Sequence, residues 1–457
     1  MKSITNVAAN KYLCIRQFLP YILGSIMFME YFDGAALNII FPELAAAFHV
    51  EPAFMKISLT TYLIAEVIFI PIAGHLSHKI DLKILLISGI FLMLIGAIGS
   101  AISINITLLI ISRTIQGISA AFITPTCRLF VLKSFDKEIR LTVINKVMGI
   151  ALIGLVAGPF ISAFLVTIYN WEVIFFVFAA FSVFSLVFAY FFIPSSKNIT
   201  MDRFDIPGYV ILSFAFLAFF LFFNITMSNQ NITYLHGLFL IISALLFLAY
   251  YAWSKKNNNA IIPKILIQDK QFLLGITSNF IFRILFGGLI FTCSYAMQIE
   301  LGYSLIKTAT SLSLYGIGMI AGKPFVSFVT KRYGYKQSLI FNSIVLSILS
   351  IFVLFEILYS HLYALYITLF VYGLSSTLHY SAMNIISLNE ISSSLHSKAN
   401  VVLNIIRLLG TTSGISFAAL MFEINTASYH VILCIIFSIY SFIGIFGSRL
   451  FKKISMG

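Results

Sequence analysis

The sequence predicts an all-α polytopic membrane protein. Of its 457 residues, 60% are hydrophobic and only 10% are charged, so the chain lacks the charged surface that a soluble protein of this length needs. Its apolar runs are about 20 residues long, the length that an α-helix needs to cross the hydrocarbon core of a bilayer. Because apolar and polar residues do not alternate within these runs, a membrane-spanning barrel of strands is not expected.

The rest of the composition argues against several other classes of function. The net charge of +13 comes from Lys and Arg residues spread over many short loops, which indicates membrane topology rather than a nucleic-acid partner. The cysteines have neither a metal-ligand nor a disulfide spacing; they are Cys14, Cys127, Cys293 and Cys434. No GxxxxGKS or GxxxxGKT motif precedes a helix, so direct coupling to ATP is not expected. No nucleophile–base set or metal cluster indicates an enzyme.

Fourteen apolar segments are long enough to cross a bilayer. In chain order they cover approximately residues 17–41, 56–76, 83–103, 106–127, 142–167, 172–193, 206–226, 232–253, 272–298, 308–328, 337–357, 361–386, 399–422 and 428–449. The weakest divisions between segments are the short turns SINIT (Ser103–Thr107) and YNWE (Tyr169–Glu172). The segments predict fourteen transmembrane helices.

The basic residues give these helices an orientation. With the N-terminus inside, the inside segments receive 23 of the 29 Lys and Arg residues, whereas the outside loops receive only Lys56 and Lys307. This excess follows the positive-inside rule, and an error of one helix would destroy it. The N-terminal residues lack a short apolar core with a small-residue cleavage site, so the first helix is expected to stay as a signal anchor. Both termini are predicted to be cytoplasmic, in the inner (cytoplasmic) membrane.

Two similar connections indicate an internal repeat. GHLSHKIDLKILL (Gly74–Leu86) joins the second and third segments, and SFVTKRYGYKQSL (Ser327–Leu339) joins the tenth and eleventh. Repeated halves around a central site are a common plan among transporters. The repeat predicts an N-terminal six-helix bundle over residues 1–198, two inserted helices over 199–260 and a C-terminal six-helix bundle over 261–457.

The first segment carries acids where a lipid-facing helix would not. The stretch Phe28–Pro42, FMEYFDGAALNIIFP, contains Glu30 and Asp33, followed by Asn38. An ionised side chain at the bilayer centre costs roughly 2.5–3.5 kcal/mol on insertion scales. The pattern predicts that this helix lines an aqueous path and that Asp33 binds a proton or a cation. The alternative is an inward polar residue that only ties helices together.

Distance along each helix brings three charged residues to one depth. At a rise of about 1.5 Å per residue, Asp33, Glu66 of the second segment and Arg113 of the fourth lie similarly far from the outer surface. Glu30 lies one turn deeper than Asp33. We expect this group to exchange protons, with the two acids of the first segment titrating as a coupled pair. The alternative is a static Asp33–Arg113 salt bridge that holds the N-terminal half together.

Small and polar residues mark the fourth and fifth segments. Gln116 falls one turn from Arg113, and Gly154 and Gly158 are four residues apart beside Pro159. Small residues at this spacing permit close helix contact, and a proline disturbs the backbone hydrogen bonds of its helix. The pattern predicts either close packing or an interface that flexes during function.

The second half of the chain contains intramembrane cations. Arg283 lies in the ninth segment and Arg407 in the thirteenth; they either bind an anionic substrate or pair with carbonyls and with acids of the first half. Lys323, near the inner end of the tenth segment, is expected to extend toward the surface. His379 is expected to be a satisfied polar residue rather than a proton carrier, and it joins the two arginines as a candidate substrate-binding residue.

Short motifs along the chain form one combined pattern. They are Asp33, Asn38 and Pro42 in the first segment; Arg113, Gln116 and Gly117 in the fourth; Gly154, Gly158 and Pro159 in the fifth; FDIPG (Phe204–Gly208); QIELGYS (Gln298–Ser304); and Asn404, Arg407, Gly410 and Gly414 in the thirteenth. Together they resemble the major facilitator superfamily, and within it the fourteen-helix drug:proton antiporter branch. The resemblance covers nearly the whole chain and implies the major facilitator fold, two six-helix bundles plus two extra helices.

One loop departs from that family pattern. Between the second and third helices, the position of the family's acid is His78, and a later glycine is Asp81. The resemblance implies that this loop is a charge-locked latch between helices in the outward-open state. In this chain we expect the latch to be rewired, for example through Asp81 with Lys83 or Arg140.

The resemblance implies a proton-coupled secondary transporter that exports small amphipathic compounds or drugs by alternating access. The candidate substrate-binding residues are Asn38, Gln116, Arg283, His379 and Arg407. The implied partners are the small-molecule substrate, protons and the lipid bilayer, with a periplasmic adaptor as a further candidate; we expect a monomer without a cofactor. Two alternatives stay open: a dedicated exporter of one metabolite, such as a siderophore, lipid or organic anion, and a non-transporting membrane sensor.

Overall fold

The computed structural model describes residues 2–196, 203–224, 232–257, 259–389, 391–392 and 395–423. Within them the chain is helical and contains no strand, so the predicted all-α class is confirmed. The helices are α1 Lys2–Ala47, α2 Lys56–Lys79, α3 Leu82–Ala101, α4 Ile106–Ser134, α5 Lys137–Ile168, α6 Glu172–Phe192, α7 Ile206–Asn224, α8 Ile232–Lys256, α9 Lys264–Gln268, α10 Lys270–Tyr295, α11 Leu305–Leu358, α12 Leu362–Leu388 and α13 His396–Glu423; a π-helical turn, Ala296–Glu300, follows α10.

Thirteen of the fourteen predicted spans lie on these helices. Two of them share α11, which breaks at Gly334, where φ is 74° and ψ is 163°. A positive φ of this size suits glycine because it lacks a Cβ, so the break falls between the two predicted spans. The last predicted span, 428–449, lies outside the described residues.

Eleven of the described helices are long and apolar enough to cross a membrane. They are α2 to α8 and α10 to α13. The first helix is not among them. It is the helix that carries Glu30, Asp33 and Asn38, and these polar groups lower its hydropathy. The residues that mark α1 as a candidate functional helix are therefore also those that weaken its apolar character.

Short polar side chains start several helices. Asp81 accepts a hydrogen bond from the backbone N of Lys83 at 2.8 Å, and Asn105 accepts one from Leu108 N at 2.8 Å. Asp269 caps α10 in the same way, through Phe272 N at 2.7 Å. Each cap satisfies a backbone donor that the helix cannot satisfy itself, which fixes where α3, α4 and α10 begin.

The chain divides into two compact units. The first comprises Met1–Leu37 and Phe69–Asp202, and the second comprises Asn38–Ile68 and Arg203–Gly457. The division falls inside α1 and inside α2, so the C-terminal part of α1 and the N-terminal part of α2 group with the second unit. The predicted three-part division of the chain, at 198 and 260, stays a prediction.

In the first unit, α3 packs against α4 and α6, and α5 contacts both α4 and α6. The apolar core takes side chains from α1, α3, α4, α5 and α6, among them Leu23, Ile90, Phe130, Val147 and Ala189. These side chains are almost completely buried. This core holds α1 and α4, the helices that carry the predicted acids and Arg113.

In the second unit, α7 packs against α8, α11 against α12, and α10 against both α12 and α13. Asp205 fastens the inserted pair α7 and α8, because its carboxylate accepts hydrogen bonds from Gly208 N at 3.1 Å, Trp253 Nε1 at 2.9 Å and Asn257 Nδ2 at 3.0 Å. The FDIPG motif thus begins α7 and links it by hydrogen bonds to the end of α8.

Candidate functional site

The centre of the first unit is a buried ion pair. Nη1 of Arg113 on α4 lies 2.9 Å from both carboxylate oxygens of Asp33 on α1. Both side chains are 1% exposed. Removing two charges from water costs several kcal/mol per ion, and the attraction between them repays this only in part. A purely stabilising role for this pair is therefore only weakly supported. The pair joins two residues that the sequence predicts to meet.

Gln116 extends the pair by one polar group. Its Oε1 accepts a hydrogen bond from Arg113 Nη1 at 2.6 Å and one from Ser100 Oγ at 3.4 Å. Because both neighbouring groups donate to this atom, it must be the amide oxygen of Gln116 and not its nitrogen. The opposite atom, Nε2, is buried and has no hydrogen-bond partner among the described residues. A buried donor without a partner is costly, so the site retains an unused donor beside the ion pair.

Close contact with α3 fixes the position of α4. A Cβ added at Gly96 would lie 2.9 Å from Ser112 O and 3.0 Å from Gln116 N. Two turns along the same helix, Ser119 Oγ donates a hydrogen bond to Gly89 O at 2.8 Å. Because the two backbones touch, the rotation of α4 about its axis relative to α3 is restricted.

The two acids of α1 have different partners. Asp33 binds Arg113, whereas Glu30 is half-buried and accepts a hydrogen bond from the Thr124 hydroxyl. Thr124 lies three turns beyond Arg113 on α4. Whether Glu30 and Asp33 titrate as a coupled pair stays a prediction. The contacts named here differ, since Asp33 faces the Arg113 guanidinium and Glu30 accepts from the Thr124 hydroxyl.

Helix α5 contacts the backbone of α1 beside Asp33. A Cβ added at Gly158 would lie 2.8 Å from Phe32 O and 3.0 Å from Ala35 Cβ, and one at Gly154 would lie 3.0 Å from Phe32 N. Pro159 follows directly within α5. The geometry is that of close packing, the first of the two readings that the sequence permits. Flexing of this interface stays a prediction.

Two predicted site residues belong to the second unit. Glu66 on α2 is buried, with 7% of its surface exposed. The backbone carbonyl of Asn38 accepts a hydrogen bond from Ser294 Oγ of α10. The expected meeting of Glu66 with Asp33 and Arg113 therefore stays a prediction, as does substrate binding by Asn38.

An aromatic cluster surrounds that Asn38 contact. The ring centre of Phe41 lies 5.1 Å from that of Phe291 and 6.0 Å from that of Tyr295. Tyr295 also stacks on Phe422 of α13 at 4.0 Å. The end of α1 from Asn38 onward is thus packed against α10 and α13.

The predicted latch loop is tied to the end of α6. His78 is exposed at the end of α2, and Asp81 accepts hydrogen bonds from Ser196 N at 3.0 Å and from the Ser195 hydroxyl. Nζ of Lys83 donates to the Tyr190 carbonyl at 2.6 Å. Asp81 therefore caps α3 and links its start to the segment after α6. The predicted latch role of His78 and Asp81 stays a prediction.

The arginines of the second unit gather around one tyrosine. The guanidinium carbon of Arg283 lies 4.8 Å from the ring centre of Tyr380, and that of Arg407 lies 5.6 Å from the same centre. Arg407 also donates a hydrogen bond to the Tyr380 hydroxyl. Tyr380 was not anticipated from the sequence. A helical-wheel comparison of α10, α12 and α13 would have shown three polar positions, but not which of them face one another.

The expectation that the polar atoms of His379 have hydrogen-bond partners does not hold for its Nδ1 among the described residues. The ring is 4% exposed and stacks on Phe282 at 4.4 Å between centres. Its Nδ1 has no hydrogen-bond partner in the part of the chain that the structure describes. Asn279 Nδ2, on α10, is likewise buried and without a partner there. Stacking satisfies the faces of an imidazole ring but not the nitrogen in its plane.

The family model of the Major Facilitator Superfamily matches residues 23–415. The chain is 24% identical over 407 residues to the probable transport protein HsrA of Haemophilus influenzae, covering 89% of this chain and 88% of that protein. It is 26% identical over 419 residues to a candidate multidrug resistance protein, MdtD, of Serratia proteamaculans, covering 91% and 87%. The corresponding MdtD of Pectobacterium atrosepticum is 26% identical over 408 residues, covering 88% and 86%.

The matched residues include most of the described helices and every charged residue discussed above. The predicted family is therefore confirmed, and so is the expectation of a transporter rather than an enzyme. Together with the eleven apolar helices, the match identifies the chain as a multi-pass membrane transporter that belongs to the Major Facilitator Superfamily.

Proposed function

We propose that this transporter exports small amphipathic compounds in exchange for protons, with Asp33 as the proton carrier. The observation that carries the proposal is the buried Asp33–Arg113 pair, with the unused Nε2 donor of Gln116 beside it. Charged residues within membrane-spanning helices are rare, and they commonly mark ion or substrate pathways. The relative HsrA is named as a transport protein, and the MdtD relatives are named as multidrug resistance proteins, which supports transport of drug-like compounds.

The chemistry follows from the contacts of Asp33. A proton that binds this carboxylate removes its negative charge and weakens both bonds to Arg113 Nη1. Arg113 is then left to Gln116, whose Oε1 it already contacts at 2.6 Å. Loss of the proton restores the ion pair. Each protonation state thus favours a different arrangement of α1 and α4, which is the differential interaction that a driven conformational change needs.

The remaining parts of the proposal concern topology and energy. We place the protein in the cytoplasmic membrane with fourteen spans and both termini inside, because the basic residues favour that orientation. There the membrane potential adds roughly 2.3 kcal/mol per charge per 100 mV to the proton gradient. Protons and a small-molecule substrate are the partners this requires, and a periplasmic adaptor is an additional candidate.

Asp33→Asn tests the proposal. In proteoliposomes, ethidium or rhodamine 6G should cause proton movement with the wild-type protein, read from a pH-sensitive dye inside the vesicles. The variant should insert in equal amount but lose this signal, because an amide cannot carry the proton. Asp136→Asn is the matched control, since Asp136 is exposed and its side chain makes no cap hydrogen bond. Undiminished proton movement in Asp33→Asn would remove Asp33 from the mechanism.

A second candidate is a dedicated exporter of one metabolite. The two arginines around Tyr380 favour it, because an exporter of organic cations would offer acids at its binding site instead. Growth of a deletion strain separates the two functions. Sensitivity to many unrelated drugs supports the first, and intracellular accumulation of one compound supports the second.

A further inference from the structure

A cavity lies between the inserted pair, α7 and α8, and the helices α10 and α13. Its volume is about 240 Å³, and each of these four helices contributes to its lining. Three aromatic rings form much of the wall, those of Phe219 on α7, Phe247 on α8 and Phe280 on α10, and Ile406 of α13 completes it. All four helices belong to the second unit. The proposed proton mechanism uses none of these side chains, so the cavity requires an explanation of its own.

Polar contacts attach the inserted pair to its neighbours on either side of the cavity. At one end, Tyr250 Oη of α8 accepts a hydrogen bond from Ile262 N at 2.8 Å. At the other end, Ser416 Oγ of α13 lies 3.5 Å from Oδ1 of Asn224, the last residue of α7. The inserted pair is therefore positioned at both ends, while its apolar packing is incomplete in between.

The lining favours an apolar occupant. Among the described lining residues, only Thr277 carries a polar side-chain atom. A buried water needs two to four polar partners, and an apolar cavity of about 150 Å³ in another protein stays dry and binds benzene or xenon. If the cavity stayed empty, its lining would lose the dispersion contacts that close packing supplies. A hydrocarbon group would restore them.

The cavity opens toward side chains that face lipid. Thr277 of the lining is exposed, and so is Leu273, one turn earlier on α10. On α8, Leu248 follows the lining residue Phe247 and is 64% exposed. Both helices are long and apolar enough to cross a membrane, where no water is present at the depth of the hydrocarbon core. The groups next to the opening are therefore the acyl chains of lipids.

Lysines lie at one end of the same helices. Lys255 and Lys256 end α8, Lys270 begins α10, and all three are exposed. The acids at this end, Asp205 and Asp269, already accept hydrogen bonds from the protein's own N–H groups. This end thus presents an excess of exposed positive charge, which attracts anionic lipid head groups at a membrane surface.

The lysines and the cavity are separated by a distance that one lipid can span. At a rise of about 1.5 Å per residue, Ile276 of the lining lies about 9 Å from Lys270 along α10, and Phe247 lies about 12 Å from Lys255 along α8. The hydrocarbon of one leaflet is about 15 Å thick. A head group at the lysines therefore places its acyl chain at the depth of the cavity.

We propose that this cavity binds one acyl chain of an anionic phospholipid whose phosphate group lies at Lys255, Lys256 and Lys270. The inference goes beyond the proposed export function and does not depend on Asp33. The bound chain supplies the packing that α7 and α8 lack against α10 and α13. The lysines select the charge of the head group, and the cavity accepts the chain.

Photolabelling tests the site with the purified full-length protein in phosphatidylcholine nanodiscs. The probe is a phosphatidylglycerol with a diazirine near the middle of one acyl chain, and mass spectrometry identifies the labelled peptides after illumination. Labels should concentrate on the lining of the cavity. The same diazirine chain on phosphatidylcholine should label the lining at least about fivefold less, because basic side chains near the surface favour the anionic lipid. Equal labelling by the two lipids would overturn the proposal.

A variant that fills the cavity tests the position of the chain. Ile406→Trp places an indole ring in the space, so labelling of the lining should be lost. Ile241→Trp is the matched control, because Ile241 is exposed on α8 and does not belong to the lining. Labelling of the lining should remain in that control. Unchanged labelling in Ile406→Trp would show contact with bulk lipid only and would overturn the proposal.

Variants at exposed positions test the head group and do not alter the packed interior. Lys255→Gln combined with Lys270→Gln should remove the preference for phosphatidylglycerol over phosphatidylcholine. Lys331→Gln combined with Arg332→Gln is the control, since both residues are exposed on α11, and it should keep the preference. A preference that survives the loss of Lys255 and Lys270 would contradict the proposed position of the phosphate.

A substrate pocket predicts a different pattern. If rhodamine 6G removes the label from the lining while the lysine variants have no effect, the cavity binds transported compounds and the lipid assignment is wrong. None of these outcomes decides the role of Asp33, because that test measures proton movement. Lost proton movement in Asp33→Asn would stand even if the cavity bound no lipid, and lipid labelling would stand even if Asp33→Asn left proton movement intact.

Discussion

The arginines of the two compact units contact different groups. In the first unit, Arg113 is neutralised by the carboxylate of Asp33, with both side chains 1% exposed. In the second, Arg283 and Arg407 contact the face and the hydroxyl of Tyr380. A carboxylate partner can itself take up a proton, whereas an aromatic ring cannot. Only the first arrangement therefore pairs its arginine with a group that could exchange a proton.

The largest expected effect comes from breaking the ion pair on one side. Arg113→Met leaves the carboxylate of Asp33 buried without its guanidinium, and removing one partner of a buried ion pair costs about 3–5 kcal/mol. The measurement is the free energy of unfolding of the purified protein in detergent. A loss below about 1 kcal/mol would indicate that Asp33 is hydrated or already protonated, contrary to a tight pair.

The double variant Asp33→Asn with Arg113→Met separates the two interpretations of the pair. It removes both charges, so most of the lost stability should return, but proton movement in proteoliposomes should remain absent. If transport returned with stability, the pair would be only a static tie between α1 and α4.

An intermediate effect is expected at Tyr380. Tyr380→Phe keeps the ring under both guanidiniums and removes only the hydroxyl that accepts from Arg407. A hydrogen bond to a charged group contributes about 1.5–3 kcal/mol, which is less than the ion pair of the first unit. Tyr333→Phe, at an exposed tyrosine, is the control and should change the free energy of unfolding by less than about 0.5 kcal/mol. A loss at Tyr380 as large as that of Arg113→Met would remove the distinction between the units.

A smaller effect is expected where α5 touches α1. A methyl group at Gly158 would meet Phe32 O at 2.8 Å, and overpacking of this kind costs about 1–3 kcal/mol. Gly149→Ala on the same helix is the matched control, because no heavy atom lies within 4 Å of a Cβ there and alanine favours a helix over glycine by roughly 0.5–1 kcal/mol. Thermal unfolding in detergent should thus show opposite signs for the two variants, and equal shifts would contradict the close contact.

Properties that depend on local sequence could be predicted well. Apolar length placed the helices, because burial in a bilayer requires about 20 apolar residues whatever their partners are. Depth along the helix was also sufficient to pair Asp33 with Arg113, since both lie on helices of one compact unit. The family motifs extended the prediction to the whole chain, and the match over residues 23–415 confirmed the family.

Properties that depend on helix rotation and on distant partners could not be predicted. Depth places Arg283, Tyr380 and Arg407 in the membrane, but their meeting depends on which faces of α10, α12 and α13 are in contact. Asp81 accepts hydrogen bonds from the segment after α6, and sequence spacing contains no information about a partner more than 100 residues away.

One continuous helix belongs to both compact units. Up to Leu37, α1 groups with the first, and from Asn38 onward it groups with the second. Asp33 precedes that change by about one helical turn. Asp33 and the aromatic contacts of Phe41 therefore lie on one uninterrupted helix, although they belong to different units.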